Sequence, residues 1–289
     1  MNIRQAQRAG SFYEGTTASC LHHATKLLDE AEGADLPAEL YGGLVPHAGW
    51  MYSGSLAART FKLLDNASPL ETVVLLGADH TGSARGAEVY DSGAWRTPLG
   101  DMLIDDDLAA RLIAAHPAVR ANPDAHRHEH SIEVQVPLLQ AMRNDIRIVP
   151  ILVAPGPDAV SIGKAIGLVL ADASPNTRVV GSSDLTHHGG HFGSPGGKGE
   201  EGVQWSAQND RRLLDIIEKM KADDVVPEVT ARGNACGGGA IAATMAACSV
   251  MGATHGHCVE YTNSYEIMQN IYPNGQDYTT VGYACVVFG

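Results

Sequence analysis

Apolar positions along this chain fall into short, nearly unbroken β-branched runs separated by stretches of helical period. The runs Gly42–Val45, Thr72–Leu76, Arg147–Val153, Thr177–Gly181 and Thr280–Phe288 predict strands covered on both faces, because a half-solvated strand would alternate apolar with polar positions. Between them, the spacing predicts helices over Ser53–Leu64, Ile104–His116, Ile132–Arg143, Ala159–Ala171, Ser206–Met220 and Gly238–Met251. In the helix expected from Ile104 to His116, Leu108, Leu112 and Ala115 share one face. Asp105, Asp106 and Asp107 fall in its first turn, where the helix dipole favours negative charge.

This alternation predicts one α/β domain over residues 1–289, a largely parallel central sheet flanked by helices on both faces. The segment Ala87–Met102 reads as a hairpin turning near Ser92-Gly93. From His188 to Gly202 seven of 15 residues are glycine, so a loop suited to act as a mobile cover is expected. The uncharged stretch Cys236–Gly252 is short for a membrane span and rich in Gly and Ala, which favours a buried helix.

With 44% apolar and 18% charged residues, the chain has enough core to fold without disulfides or a structural metal. A formal charge of -13 argues against broad binding to nucleic acid or anionic membranes. The five cysteines are odd in number, dispersed and free of Cys-x-x-Cys pairs, and the first residues lack the apolar core of a signal peptide. A reducing, cytoplasmic setting is the expectation.

Chemistry concentrates at the turns that end strands. His47 follows Gly-Gly-Leu-Val-Pro and His80 follows Thr-Val-Val-Leu-Leu-Gly-Ala-Asp, which puts both imidazoles at the carboxyl edge of the sheet, where open α/β folds bind ligands. Cys236 heads an apolar helix whose exposed N–H groups favour a thiolate. Together they form a candidate His-His-Cys metal site, although each histidine alone reads equally well as a hydrogen-bonded turn residue. Asp184 and His187 end another strand and would face the same side if their turn were helical. His187 is then a candidate acid/base, and capping by Ser182, Ser183 and Asp184 is the plainer alternative. In His126–Glu133, His130 and Glu133 are expected to support the pocket by hydrogen bonding, Glu129 and Glu133 could share a face, and His126 and His128 should be solvated. His-Glu-x-x-His is absent, which removes the zincin reading.

The segments Arg8-Ala9-Gly10-Ser11-Phe12-Tyr13, Val45–Gly54, Glu129–Gln135 and Ser182–His187 resemble the Memo family, in order, over nearly the whole chain. The resemblance implies a fold similar to the LigB-type class III extradiol dioxygenases. There His47 and His80 match the histidine ligands, Cys236 takes the carboxylate position, His187 matches the acid/base histidine, and Asp184 lines the cleft and orients it. Phe12 and Tyr52 would belong to an aromatic rim. Fe(II) is the favoured metal, with copper or zinc as alternatives, since a thiolate is softer than the carboxylate it replaces. The resemblance further implies a pathway link to a radical SAM protein and an Ammecr-type protein. Three functions stay open: a dioxygenase-like oxidoreductase acting on a small molecule, a non-catalytic module binding a peptide or small anion, and a zinc-dependent hydrolase.

Overall fold

The β-branched runs become the centre of one sheet because both of their faces find helices to bury against. A computed structural model describes residues 2–273 and 275–289. Along the chain lie β1 (Ile3–Arg4), α1 (Thr17–Asp29), β2 (Gly42–Val45), α2 (Trp50–Ala67), β3 (Thr72–Gly77), β4 (Ala87–Val89), β5 (Ala94–Thr97), β6 (Gly100–Leu103), α3 (Asp106–Ala115) and β7 (Val119–Ala121). Then come α4 (Val136–Met142), β8 (Arg147–Val153), α5 (Ala159–Ala171), β9 (Thr177–Ser182), β10 (His187–His188), α6 (Gly199–Glu218), α7 (Ala222–Arg232), α8 (Gly238–Met251), β11 (Gly256–Asn263), α9 (Ser264–Ile271) and β12 (Thr280–Phe288).

The main sheet has the order β10-β12-β2-β9-β3-β8-β4-β7, with β11 also paired to β12. Its centre, β2-β9-β3-β8, is parallel, while β12 joins β2 and β4 joins β8 antiparallel, so the sheet as a whole is mixed. Successive strand residues enter opposite layers: Val73 and Leu75 pack with α1, α2 and α4, and Val74 and Leu76 with α3, α5, α6, α7 and α8. This is the single α/β architecture, helices on both faces, expected of the LigB-like fold.

The Gly- and Ala-rich run is α8, packed against α5. A Cβ on Gly163 would lie 2.2 Å from the Ala243 carbonyl oxygen, so the two helices approach at backbone contact and only small residues fit between them. None of the helices among the described residues is long and apolar enough to cross a membrane.

Several expectations are corrected. The chain does not turn back at Ser92-Gly93; it leaves the main sheet there, and β5 pairs with β6 and with the N-terminal β1 in a separate three-stranded sheet. The hairpin turn is Pro98-Leu99, because Ile3 and Arg4 supply β5 with a partner remote in sequence. The His188–Gly202 connection is more ordered than its glycines suggest: His188 pairs with Thr280, a 3₁₀ turn spans Gly190–Phe192, and α6 already begins at Gly199. Glu200 and Glu201 in the first turn of α6 offset the weak helix propensity of its glycines. The helix expected over Ile132–Arg143 is a 3₁₀ turn at Glu133–Gln135 followed by α4, with proline in its first turn.

Candidate metal centre

Strand order brings the two histidines to one place. β9 lies between β2 and β3 in the sheet, and Val45 pairs with Ser182 while Leu76 pairs with Gly181, so the three strands end level. The turns carrying His47 and His80 therefore flank the continuation of β9 at Ser183-Asp184. Leu185 bridges Ala235, and the Cys236 N–H donates to the Asp184 carbonyl at 3.2 Å, which ties the thiol to the same edge. Gly237 permits this approach, since a Cβ there would lie 2.8 Å from the Ser182 carbonyl oxygen. The His47 Nε2 to Cys236 Sγ distance is 3.2 Å, and donor atoms of His47, His80 and Cys236 all lie within 4.8 Å of one another.

Hydrogen bonds fix which nitrogen each imidazole presents. The Ser182 hydroxyl donates to the Ser131 carbonyl at 2.6 Å, leaving its oxygen to accept from His47 Nδ1–H at 3.0 Å. His80 Nδ1–H donates to Glu129 Oε1 at 2.9 Å. Both rings thus engage Nδ1–H and turn Nε2 toward Cys236; in His80, which is protonated in the free site, a bound cation would displace the Nε2 proton, giving the arrangement that metal-binding histidines need. The Glu129 carboxylate also accepts the backbone N–H groups of His80, His130 and Ser131, which locks it in place.

Burial opposes charge throughout this edge. Burial, reinforced by His80 and His130, holds His47 well below its ordinary pKa, and burial raises the Cys236 thiol. For His80, burial is outweighed by hydrogen bonding to Cys236 and Glu129, which lifts its pKa to about 10. Glu129 shifts the other way, downward, because His80 and the N–H groups around the carboxylate outweigh its burial. His80 is the one positive focus of the free site, and a divalent cation bound there would take over that role.

Sequence comparison is decisive at this point: residues 4–287 match the family of Memo-like proteins. The chain belongs to the Memo family. It is 34% identical to a MEMO1 family protein of Methanopyrus kandleri, over 97% of this chain and 96% of that one. It is 32% identical to one of Methanothermobacter thermautotrophicus, over 98% and 99%. Among solved structures, the uncharacterized protein JW3007 from Escherichia coli K12 matches with a TM-score of 0.52 at 14% identity, covering 87% of this chain and all of that one, a likeness of fold alone.

In this Memo-family chain His47 and His80 line a cleft of about 720 Å³, with Cys236 behind them. Phe12 and Tyr52 line it together with Trp50, Phe192 and Tyr283, and Phe12 meets the His130 ring edge-on at 5.1 Å. His130 itself lines the cleft, stacked 4.7 Å from His80. Glu133 lies outside the lining: it accepts from Arg4 Nη1, the backbone N–H groups of Gln7 and Arg8, and the Tyr13 hydroxyl, and so anchors the N-terminal segment that walls the cleft. Glu129 turns to His80 and does not meet Glu133.

The Asp184–His187 segment is extended, not helical, because Leu185 bridges Ala235 and His187 pairs with Val281. Both residues line the cleft, but Asp184 accepts the His47 backbone N–H at 2.7 Å and makes no hydrogen bond to His187. Burial raises Asp184 to about 7, and burial aided by His80 lowers His187 to about 4. His126, expected in solvent, is fully buried between Tyr90 and Trp95 with Nε2–H on the Glu88 carbonyl; His128 is exposed. The roles of Ser182 and Glu129 in orienting the histidines were not legible, because their partners are remote along the chain.

Proposed function

We propose that this Memo-family chain is a metal-dependent, dioxygenase-like oxidoreductase for a small molecule, with His47, His80 and Cys236 holding Fe(II), and copper or zinc as competing ions. The supporting observation is that two imidazoles, each with Nδ1–H engaged, present Nε2 toward one sulfur. Bound there, the metal supplies a Lewis-acidic, redox-active centre with positions left for a substrate.

The protein's own groups do the rest. Phe12, Trp50, Tyr52 and Tyr283 form an aromatic wall that excludes water from one side of the cleft and orients a flat substrate. His187, neutral at physiological pH, has a buried Nε2 with no hydrogen-bond partner among the described residues. It takes a proton from a substrate hydroxyl, whose developing negative charge raises the imidazole pKa toward the working range, and returns it later. Asp184 holds the backbone of the His47 turn, so its part is to position a ligand.

Anaerobic reconstitution with Fe(II), Cu(I) or Zn(II), followed by metal analysis and oxygen-consumption assays, tests this reading. Wild type should hold one metal ion, and the His47→Ala, His80→Ala, Cys236→Ala triple variant none. Equal metal content in the two proteins refutes the site. A peptide complex that survives loss of all three donors would instead favour the binding-module reading.

A further inference from the structure

The cleft continues past Phe192. A second cavity of about 560 Å³ is lined by Ser264, Met268, Gln269, Tyr272 and Thr279, and it shares Tyr52, Phe192, Val281 and Tyr283 with the metal-side cleft. With four wall residues in common, the two spaces adjoin, and Phe192 is part of the partition. Its ring packs on His187 at 4.7 Å and on His191 at 3.9 Å, yet the residue keeps 39% of its surface exposed.

Phe192 rides on the single turn Gly190–Phe192, flanked by Gly189, Gly190 and Gly193 at φ 81°, 53° and 83°. Those backbone values favour glycine, so the side chains this turn presents are His191 and Phe192, and of the two only Phe192 lines both cavities. On the far side, α9 has no fully buried residue and offers Ser264, Met268 and Gln269 to the second cavity.

The two ends differ in chemistry. Five imidazoles, His23, His47, His80, His130 and His187, line the metal side together with Glu14 and Asp184, whereas the ionisable side chains lining the second cavity, among the described residues, are His191, Asp277 and the tyrosines. Asp277 supplies its carboxylate, beside the His191 imidazole at the Phe192 turn and the neutral hydrogen-bonding groups of Gln269, Tyr272 and Thr279. An anionic group is disfavoured there and an amine is favoured.

Building on the metal-site reading, we propose that the substrate is bipartite. A chelating head occupies the His47-His80-Cys236 end, an elongated arm ending in an amine or neutral hydrogen-bond donor enters the second cavity, and Phe192 governs which arms pass.

The test uses the full chain, reconstituted anaerobically with Fe(II), and 4-nitrocatechol as a coloured chelating probe. It is displaced in turn by 4-methylcatechol, by a catechol carrying a six-carbon amine-terminated chain, and by its carboxylate-terminated counterpart. The amine-tailed probe should compete at about one-tenth the concentration of 4-methylcatechol or less, and the carboxylate-tailed one should gain nothing. Met268→Trp or Gln269→Trp, each on a half-exposed helix position, should erase the amine-tail advantage and leave 4-methylcatechol unchanged. Phe192→Ala should widen the range of arms accepted. Equal competition by tailed and untailed probes in wild type, equal gain from either tail charge, or equal loss of all probes in the tryptophan variants overturns the proposal. If 4-nitrocatechol fails to bind the loaded chain, or binds equally to the triple donor variant, the metal-site reading fails as well.

Discussion

Glu129 gives the sharpest handle on the metal site, because it holds His80 without reaching the common point of the three donors. Its carboxylate is 1% exposed and accepts four N–H groups: the His80 backbone at 2.7 Å, His80 Nδ1 at 2.9 Å, and the His130 and Ser131 backbones at 2.7 and 2.9 Å. In Glu129→Gln only one of the two positions can remain an acceptor. Keeping the oxygen on the His80 ring side turns the new amide NH₂ against the His80 backbone N–H, a buried donor facing a donor, at a cost of about 1–3 kcal/mol of stability. The ring then donates to a neutral carbonyl in place of a carboxylate, and metal affinity should fall about 10- to 100-fold, or roughly 1.4–2.7 kcal/mol. Competition for Fe(II) and Zn(II) against a chromogenic chelator measures the affinity, and urea unfolding of the metal-free chain measures the stability. A folded Glu129→Gln protein that binds metal as tightly as wild type would refute the claim that this carboxylate sets the orientation and basicity of His80.

Other perturbations address the remaining links. Cys236→Asp replaces the soft donor with a hard one and should retain Fe(II) while Cu(I) affinity drops by about tenfold or more; competition with a Cu(I)-specific chelator reads it, and undiminished Cu(I) binding counts against the thiolate as ligand. His126 is held neutral in the fold, its pKa lowered by burial to about 4, whereas the unfolded chain takes up a proton there below about 6.5. Stability from this group is therefore intact above pH 6.5 and lost as pH falls toward 4, by about 2 kcal/mol at pH 5. His126→Gln should flatten the change in urea-unfolding stability between pH 7 and pH 5 by that amount; an unchanged slope assigns the acid sensitivity elsewhere. Gly163→Ala should cost about 1–3 kcal/mol or more, because its Cβ would meet the Ala243 carbonyl oxygen at 2.2 Å. Gly33→Ala, with nothing within 4 Å, should stay within about 0.5 kcal/mol in the same thermal unfolding assay.

What the chain's sequence determined by itself is local. β2, β8 and β12 have the bounds that their β-branched runs predict, and α5 and α8 those of their apolar patterns, because burial on both sides of a strand or around a helix leaves an unbroken apolar signature. The turns that place His47 and His80 just beyond strand ends were legible for a similar reason: Pro46, Gly49 and Gly82 punctuate the runs. Where a segment takes its structure from a distant partner, the signature disappears. β5 depends on β1, β11 on β12, and the extended Asp184–His187 stretch on Ala235 and Val281. α1, α7 and α9 likewise lie outside the segments that the apolar spacing predicts as helices. The site divides along the same line. Residue types and turn positions nominate His47, His80 and Cys236, but only the insertion of β9 between β2 and β3 brings them within 4.8 Å. Only contacts across the fold, from Ser182 and Glu129, decide which nitrogen each ring presents. Strand order and hydrogen-bond partners depend on contacts among residues far apart in the chain, and apolar spacing records the burial of each segment without recording its neighbour.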